Sequence, residues 1–451
     1  MSTPFNPVPA ERVGDQSASI WTEFAALAVE NKAVNLGQGF PDGPAPKFVT
    51  DILKKISKKP EMVDGHQYTR GYGHPKLVET LAKWYSHLYG VAVNASDDIL
   101  ITVGAYHALY YAFLAWIHEG NEVIIIEPAF DCYGPQIKFA GGIPVPVLMK
   151  LPDGATRACD FEIDFVELEA KINTETKMIV INNPHNPTGK LFSYSELERI
   201  ANLAKKYNLI VVADEVYEFH VENTFNVQGV WKMEMVRFAS LPGMYERTIS
   251  IGSAGKIFSV TGWKLGWAIA PKNLLAPLKT IHQNCASSCS TPTQLAVAEA
   301  LDYEFPKYLY RPFKSYLAYK LPKEICKKCR KMSVMLKKAG FTPTWPDAGF
   351  FMLADYSMVK NVPNFKESVR AESEAEPGVQ DQPEPQTEVE DPADLMFARW
   401  LCREKKIAVI PLTAFYSSNE DKHANDKMIR VCFFKKDETL NKAKKNCPIY
   451  V

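Results

Sequence analysis

Residues able to do chemistry follow one another, each just beyond a run of apolar residues. TISIG (248–252) leads into Ser253-Ala254-Gly255-Lys256. A lysine that ends a buried strand among small residues is poorly solvated. Desolvation disfavours its charged form and leaves a free amine, the nucleophile that attacks carbonyls. Lys264 follows as a second cation, suited to a phosphate. LIVVA (209–213) runs into Asp214, with Tyr217 close behind. A carboxylate ending an apolar strand is costly to desolvate alone; a protonated ring nitrogen would satisfy it, and so would an arginine. DILITVG (98–104) opens into Gly104-Ala105-Tyr106 at the start of a helical stretch. Small residues there expose backbone N–H groups to a phosphate, although they also make a plain tight turn. Phe130 follows EVIIIEP (122–128) and either stacks on a planar ring or belongs to the core. After KMIVIN (177–182) comes the turn cluster NPHNPTG (183–189), in which Asn186 offers an amide to a ligand oxygen. A structural turn accounts for the prolines without needing that Asn. Each feature has an ordinary explanation by itself. In series at one edge they describe a pocket for a planar phosphorylated ring with a basic nitrogen and an aldehyde.

These positions require a scaffold. The apolar runs at 98–104, 122–128, 143–149, 177–184, 209–216, 248–255 and 265–271 are mostly rich in Ile and Val without polar alternation. Strands buried on both faces have that composition and belong to mostly parallel sheets covered by helices. The stretch YSELERIANLAKKYN (194–208) has helical spacing. The expected fold is α/β: a doubly wound, mostly parallel sheet in a large domain over 45–310. In such a sheet ligands sit beyond the carboxyl ends of the strands. Residues 1–44 and 311–451 are expected to form a smaller α+β domain, with a helix at 323–340 and strands at 349–356, 406–412 and 428–434. Within it, 367–394 is acidic, rich in Pro, Gln and Glu and poor in large apolar residues. Such a segment buries too little surface to offset its ordering entropy, so a disordered insertion is expected. The Cys326-Lys-Lys-Cys329 pair has no second pair at metal spacing and reads as part of a basic helix. No metal is expected.

Composition excludes several classes. Lys and Arg together number 52, as do Asp and Glu, so no charge excess favours nucleic acid or an anionic membrane. No apolar run approaches the ~20 residues that span a bilayer. The first residues read as neither a secretory signal nor a transit peptide. Nine scattered cysteines fit free thiols in a reducing compartment. A cytoplasmic protein is expected, with a mitochondrial form from an alternative start left open. No G-x-G-x-x-G joins the first strand to a helix, which disfavours a dinucleotide-binding dehydrogenase.

Eight segments carry a family resemblance: NLGQGFPD (35–42), QYTRGYGHPKL (67–77), ILITVGAYHAL (99–109), VIIIEPAFDCY (123–133), NNPHNPTGK (182–190), ADEVY (213–217), SLPGMYERTISIGSAGKIFSVTGWKLGW (240–267) and IRVCFFK (429–435). In this order they resemble fold-type-I pyridoxal-phosphate aminotransferases. Within these the chain is most similar to the kynurenine aminotransferase group, also called glutamine transaminase K or cysteine-S-conjugate β-lyase. The resemblance implies pyridoxal 5'-phosphate held as an imine on Lys256, which later moves the proton. It implies that Asp214 pairs with the pyridinium nitrogen and that Tyr217 and Asn186 bond the ring 3-oxygen. Phe130 would stack on the ring, while Gly104, Ala105, Tyr106, Ser253 and Lys264 would surround the phosphate. Tyr68 would reach the neighbouring subunit's cofactor, making the protein a homodimer. Arg430 would grip the substrate α-carboxylate with Asn186 and the Gly39 backbone, and Trp21 would line the side-chain pocket. The implied reaction moves an amino group from kynurenine, glutamine or other aromatic or sulfur amino acids to a 2-oxo acid by a ping-pong route. β-Elimination from cysteine S-conjugates is an implied side activity. The chain departs from the family at Ser287 and Ser288, where relatives place an aromatic and a histidine, at His107, often Gly, and at Asp347-Ala348-Gly349. Another class I aminotransferase, acting on methionine, aspartate or aromatic residues, is the nearest alternative. A catalytically silent binding homologue is the more distant one.

Overall fold

Strands with apolar residues on both faces need cover on both faces, and the structure, a computed structural model, provides it. It describes residues 8–13, 19–221, 224–225, 231–232, 235–363 and 391–447. The acidic segment 367–394 therefore lies outside the described residues up to position 390. Eight strands form the main sheet: β1 (Ile99–Thr102), β2 (Glu122–Glu127), β3 (Ile143–Lys150), β4 (Glu162–Ile163), β5 (Thr176–Asn182), β6 (Ile210–Asp214), β7 (Thr248–Ser253) and β8 (Gly266–Ile269). Their order across the sheet is β1-β8-β7-β6-β5-β2-β3-β4. The pairs from β7 through β6, β5 and β2 to β3 are parallel. Every residue of β1, β6, β7 and β8 is buried, as the unbroken apolar runs require. The expected doubly wound α/β sheet is present.

One strand runs the other way. β8 is antiparallel to both β7 and β1. The link 254–265 carries the short helix Ala254–Ile257 and a turn of 3-10 helix at Thr261–Trp263. It is spent on a loop beside the strand ends, where a parallel connection would need a crossover helix. This loop holds both Lys256 and Lys264. Helix Tyr194–Lys206 starts on a capping box: Ser193 Oγ accepts from Glu196 N at 3.2 Å, and Ser193 N donates to Glu196 Oε2 at 2.8 Å.

A second sheet consists of β9 (Thr342–Thr344), β10 (Phe351–Asp355), β11 (Ile410–Pro411) and β12 (Met428–Cys432), ordered β9-β10-β12-β11 with antiparallel pairs. Helix Leu321–Lys338 precedes it and contains Cys326 and buried Cys329. The N-terminal segment is stitched to this region. Val34–Asn35 pairs in parallel with Ile407–Ala408, and Cys432 N donates to Leu36 O at 2.7 Å. Among the described residues no group of three His, Cys, Asp or Glu side chains is placed to hold a metal, and no helix is long and apolar enough to cross a membrane.

Just behind the strand ends lies a buried polar cluster. Arg237 donates to Glu218 Oε2 through Nε at 2.9 Å and through its terminal nitrogen at 2.7 Å. Tyr85 donates to Glu218 and accepts from Trp267 Nε1 at 2.9 Å. Glu218 and Arg237 are 1% and 2% exposed, so this ion pair lies out of water. Removing one member of such a pair costs about 3–5 kcal/mol, whereas replacing both by apolar groups is often nearly neutral. Arg237→Met is thus expected to lower the thermal unfolding midpoint sharply, and adding Glu218→Leu to restore most of it. Equal midpoints for the single variant and the wild type would show that the pair is not needed.

Candidate active site

The carboxyl ends of three parallel strands stand level. Asn182 at the end of β5 pairs with Asp214 at the end of β6, and Asp214 pairs with Ile251 of β7. A cavity of about 460 Å³ opens beyond them. It is lined by Trp21, Gly39, Gly104, Ala105, Tyr106, Phe130, Asn186, Asp214, Tyr217, Ser253, Lys256, Lys264 and Arg430. Residues singled out in eight separate stretches of sequence therefore share one space. Tyr68 does not; it is 92% exposed and lies off the cavity. Ser287 and Ser288 are also absent from the lining, following helix Lys272–Cys285. His107 packs its ring 5.6 Å from that of Tyr111 and leaves the cavity wall to its neighbours.

Asp214 is buried at the strand end, and its partners are not arginine. Oδ2 accepts from Tyr133 at 2.6 Å, and Oδ1 accepts from Val216 N at 3.4 Å. Burial raises its pKa to about 6, against the Tyr133 hydrogen bond, the Val216 N–H and the Lys256 charge, which lower it. Lys256 sits on the short helix after β7 and donates to Gly39 O at 2.9 Å. Burial lowers its pKa to about 8; Cys432 and Asp214 work against this, and the cations Arg430 and Lys264 add to it. An amine with that pKa has a minor but appreciable neutral fraction near physiological pH. Tyr217 is buried against Phe350 at a ring distance of 5.1 Å, and burial raises its hydroxyl pKa.

Arg430 comes from β12, flanked by Leu353 and Ile410. It is 1% exposed, yet its partners are carbonyl oxygens: Asn186 Oδ1 at 2.9 Å and Gly37 O at 2.6 Å. Its guanidinium lies 4.1 Å from the Phe351 ring, 4.9 Å from Phe415 and 5.1 Å from Trp21. Nε has no partner, and burial lowers the pKa to about 10. A desolvated guanidinium left with a free donor suits an incoming carboxylate. At the other end, helix Gly104–Trp116 starts at the cavity, and Lys264 approaches Gly104. A Cβ on Gly266 would stand 2.5 Å from Ala105 N, so glycine keeps this helix start open. Backbone N–H groups beside an ammonium make an anion site.

Three residues escaped the sequence reading. Tyr133 holds Asp214; its only signal was its place in the same turn as Phe130. Asn182 accepts from Asn186 N at 2.7 Å and donates to the Asp214 main-chain carbonyl at 2.9 Å, tying the turn to the end of β6. It ends an apolar run as Asp214 does, which was the available clue. Asp131 lines the cavity and accepts from the Trp21 indole. Nothing in sequence joins positions so far apart.

The chain matches the family model described as aminotransferase class I and II over residues 31–445. It is 40% identical over 437 residues to kynurenine–oxoglutarate transaminase 3 of Homo sapiens, covering 96% of this chain and 88% of that one. Among solved structures, Bna3p of Saccharomyces cerevisiae superposes with a TM-score of 0.84 at 28% identity, covering 98% of both chains. YbdL of Escherichia coli, whose structure is described with a methionine aminotransferase function, gives a TM-score of 0.79 at 28% identity over 98% of this chain and 99% of that one. With its anion site, amine, carboxylate and buried guanidinium in one cavity, the chain belongs to the class I and II aminotransferases, enzymes that move an amino group between an amino acid and a 2-oxo acid.

Proposed function

We propose that this protein is a pyridoxal-phosphate-dependent aminotransferase acting on kynurenine, glutamine and related aromatic or sulfur amino acids. The observation that carries the proposal is a partly neutral Lys256 amine in one cavity with Asp214 and a guanidinium that lacks a carboxylate partner. The donor set fits the cofactor. Gly104, Ala105, Tyr106, Ser253 and Lys264 would hold the phosphate, Phe130 would stack on the ring, and Asp214 would pair with the ring nitrogen. Tyr217 and Asn186 would take the ring oxygen. When bound, pyridoxal phosphate supplies an aldehyde for the substrate nitrogen and a ring that accepts electrons from the substrate Cα.

The side chains have separate tasks. Arg430 binds the substrate α-carboxylate as a fork, so the Cα–H bond is presented to Lys256. Lys256, whose amine lies in the same cavity, would take the proton from the substrate Cα. Asp214, held by Tyr133 and Val216 N, would pair with the ring nitrogen and favour a proton there. Donor and acceptor use the same cavity in turn, which gives ping-pong kinetics. A leaving group at Cβ diverts the same proton removal to elimination, the cysteine-S-conjugate β-lyase reaction. Trp21, Tyr106, Phe130 and Phe351 give the cavity aromatic walls, which supports large apolar side chains. Similarity to the human kynurenine–oxoglutarate transaminase supports the same class. The working form is a homodimer in which Tyr68 of one subunit completes the other's phosphate site; its 92% exposure in a single chain supports this. Among the described residues the cysteines form no disulfide, which supports the reducing cytoplasm.

Purified protein with pyridoxal phosphate is expected to convert kynurenine and a 2-oxo acid to products, and Lys256→Ala to abolish this. Arg430→Lys, which loses the fork, is expected to raise KM for the donor by about 10- to 100-fold. A panel of glutamine, methionine, aspartate and kynurenine assigns the donor; turnover of aspartate alone would overturn the substrate class. The lowered Lys256 pKa carries a sign: the amine is protonated below about 8 and reactive above it. Amine-directed labelling of Lys256, read by peptide mass, is expected to rise through pH 8. Arg430→Met removes a charge that lowers this pKa, so its midpoint is expected to move up. A midpoint equal to that of exposed lysines would contradict the burial argument.

A further inference from the structure

Lys435 is a second buried cation near the cavity, and nothing above uses it. It is 2% exposed. Its ammonium donates to Gln38 O at 3.0 Å and Phe40 O at 2.8 Å, and lies 4.3 Å from the Phe40 ring. All three partners belong to one short loop, and none is a carboxylate. Two other buried cations do meet carboxylates, Arg237 meeting Glu218 and Lys190 meeting Glu196, while Lys279 rests on the carbonyls of Ser96 and Asp97. A buried ammonium held only by carbonyls fixes those carbonyls with charge-assisted bonds.

The fixed loop is the one that faces the chemistry. Phe40 N donates to Gln38 O at 3.0 Å, closing a three-residue turn around Gly39. The outer carbonyls of this turn face Lys435, while the Gly39 carbonyl faces Lys256 at 2.9 Å. Gly37 O accepts from Arg430 at 2.6 Å. A Cβ on Gly39 would lie 2.6 Å from Phe351 Cζ, so the turn packs directly on the ring beneath Arg430. The grip continues along the chain. Lys436 N donates to Asp42 Oδ1 at 2.6 Å and Thr439 Oγ1 to Asp42 Oδ2 at 2.5 Å. Residues 430–439 thus hold residues 36–42 at successive points, and Lys435 bonds the carbonyls on both sides of Gly39, while Asn35 Oδ1 accepts from Gly37 N at 3.1 Å and Gln38 N at 3.0 Å.

We infer that Lys435 is a positioning residue for substrate binding: it orients the Gly37–Phe40 turn so that the Gly39 backbone and Arg430 together receive the α-carboxylate. The inference rests on the assignment of Arg430 and Gly39 as the carboxylate site. It places the effect of Lys435 in carboxylate affinity, with cofactor attachment at Lys256 left intact.

The test uses cofactor-loaded protein and 3-phenylpropionate, a monocarboxylate without an amine, titrated calorimetrically. Lys435→Met is expected to weaken its binding by about tenfold, the loss of one charge-assisted contact. KM for the amino donor is expected to rise in parallel with a smaller change in kcat, and pyridoxal phosphate to remain on Lys256. Lys435→Arg keeps the charge with different reach and is expected to recover part of the affinity. If Arg430→Met abolishes binding while Lys435→Met stays within twofold of wild type, the carboxylate site stands and the role of Lys435 is overturned. If neither variant changes binding, both assignments fall. Should Lys435→Met not fold, Lys435→Arg decides alone: weakened binding supports the inference, and wild-type affinity overturns it.

Discussion

Everything around the cavity depends on keeping one lysine amine out of water at the end of a parallel strand. Lys256 gains its lowered pKa mainly from burial, with Arg430 and Lys264 adding like charge. Burial of that kind needs a rigid rim. The sheet supplies it by ending β5, β6 and β7 level, so Asn182, Asp214 and the Lys256 loop form one edge. Reversal of β8 frees the intervening link to carry Lys256 and Lys264 together. The same low polarity that frees the amine raises the pKa of Asp214, so amine and carboxylate are tuned by one physical cause.

Several cations of this chain differ in what holds them. Arg237 and Lys190 are buried against carboxylates and serve the fold. Arg430, Lys256 and Lys435 are held by carbonyl oxygens, with aromatic faces close by. A carboxylate partner would neutralise them in advance. Carbonyls stabilise a cation more weakly and yield to an anionic ligand, which explains why these partners suit a binding site. All three reach the loop Gly37–Phe40, far from them in sequence, so the N-terminal segment completes the site.

Much of this was legible before any coordinates. Strands β1, β2, β5, β6 and β7 announced themselves because burial on both faces leaves no polar alternation. Asp214 and Lys256 were readable because ionisable residues ending such runs are costly unless used. The direction of β8 was not readable, since an apolar run carries no sign of its orientation. Arg430 entered only through family resemblance: MIRVC reads as a strand, and nothing in that pattern gives Arg430 a partner. Tyr133, Asn182 and Lys435 were missed for a common reason. Their roles lie in hydrogen bonds to residues distant in sequence, and Lys435 finds Phe40 across 395 positions. The acidic segment was read as disordered, and positions 364–390 lie outside the described residues.

The most direct test of the central claim is to incubate the protein with pyridoxal phosphate, reduce it with borohydride and map the modified peptide by mass. The account predicts one pyridoxyl addition, on Lys256, that disappears in Lys256→Ala and is prevented when an amino donor is added before reduction. Addition spread over exposed lysines, or none at all, would contradict it.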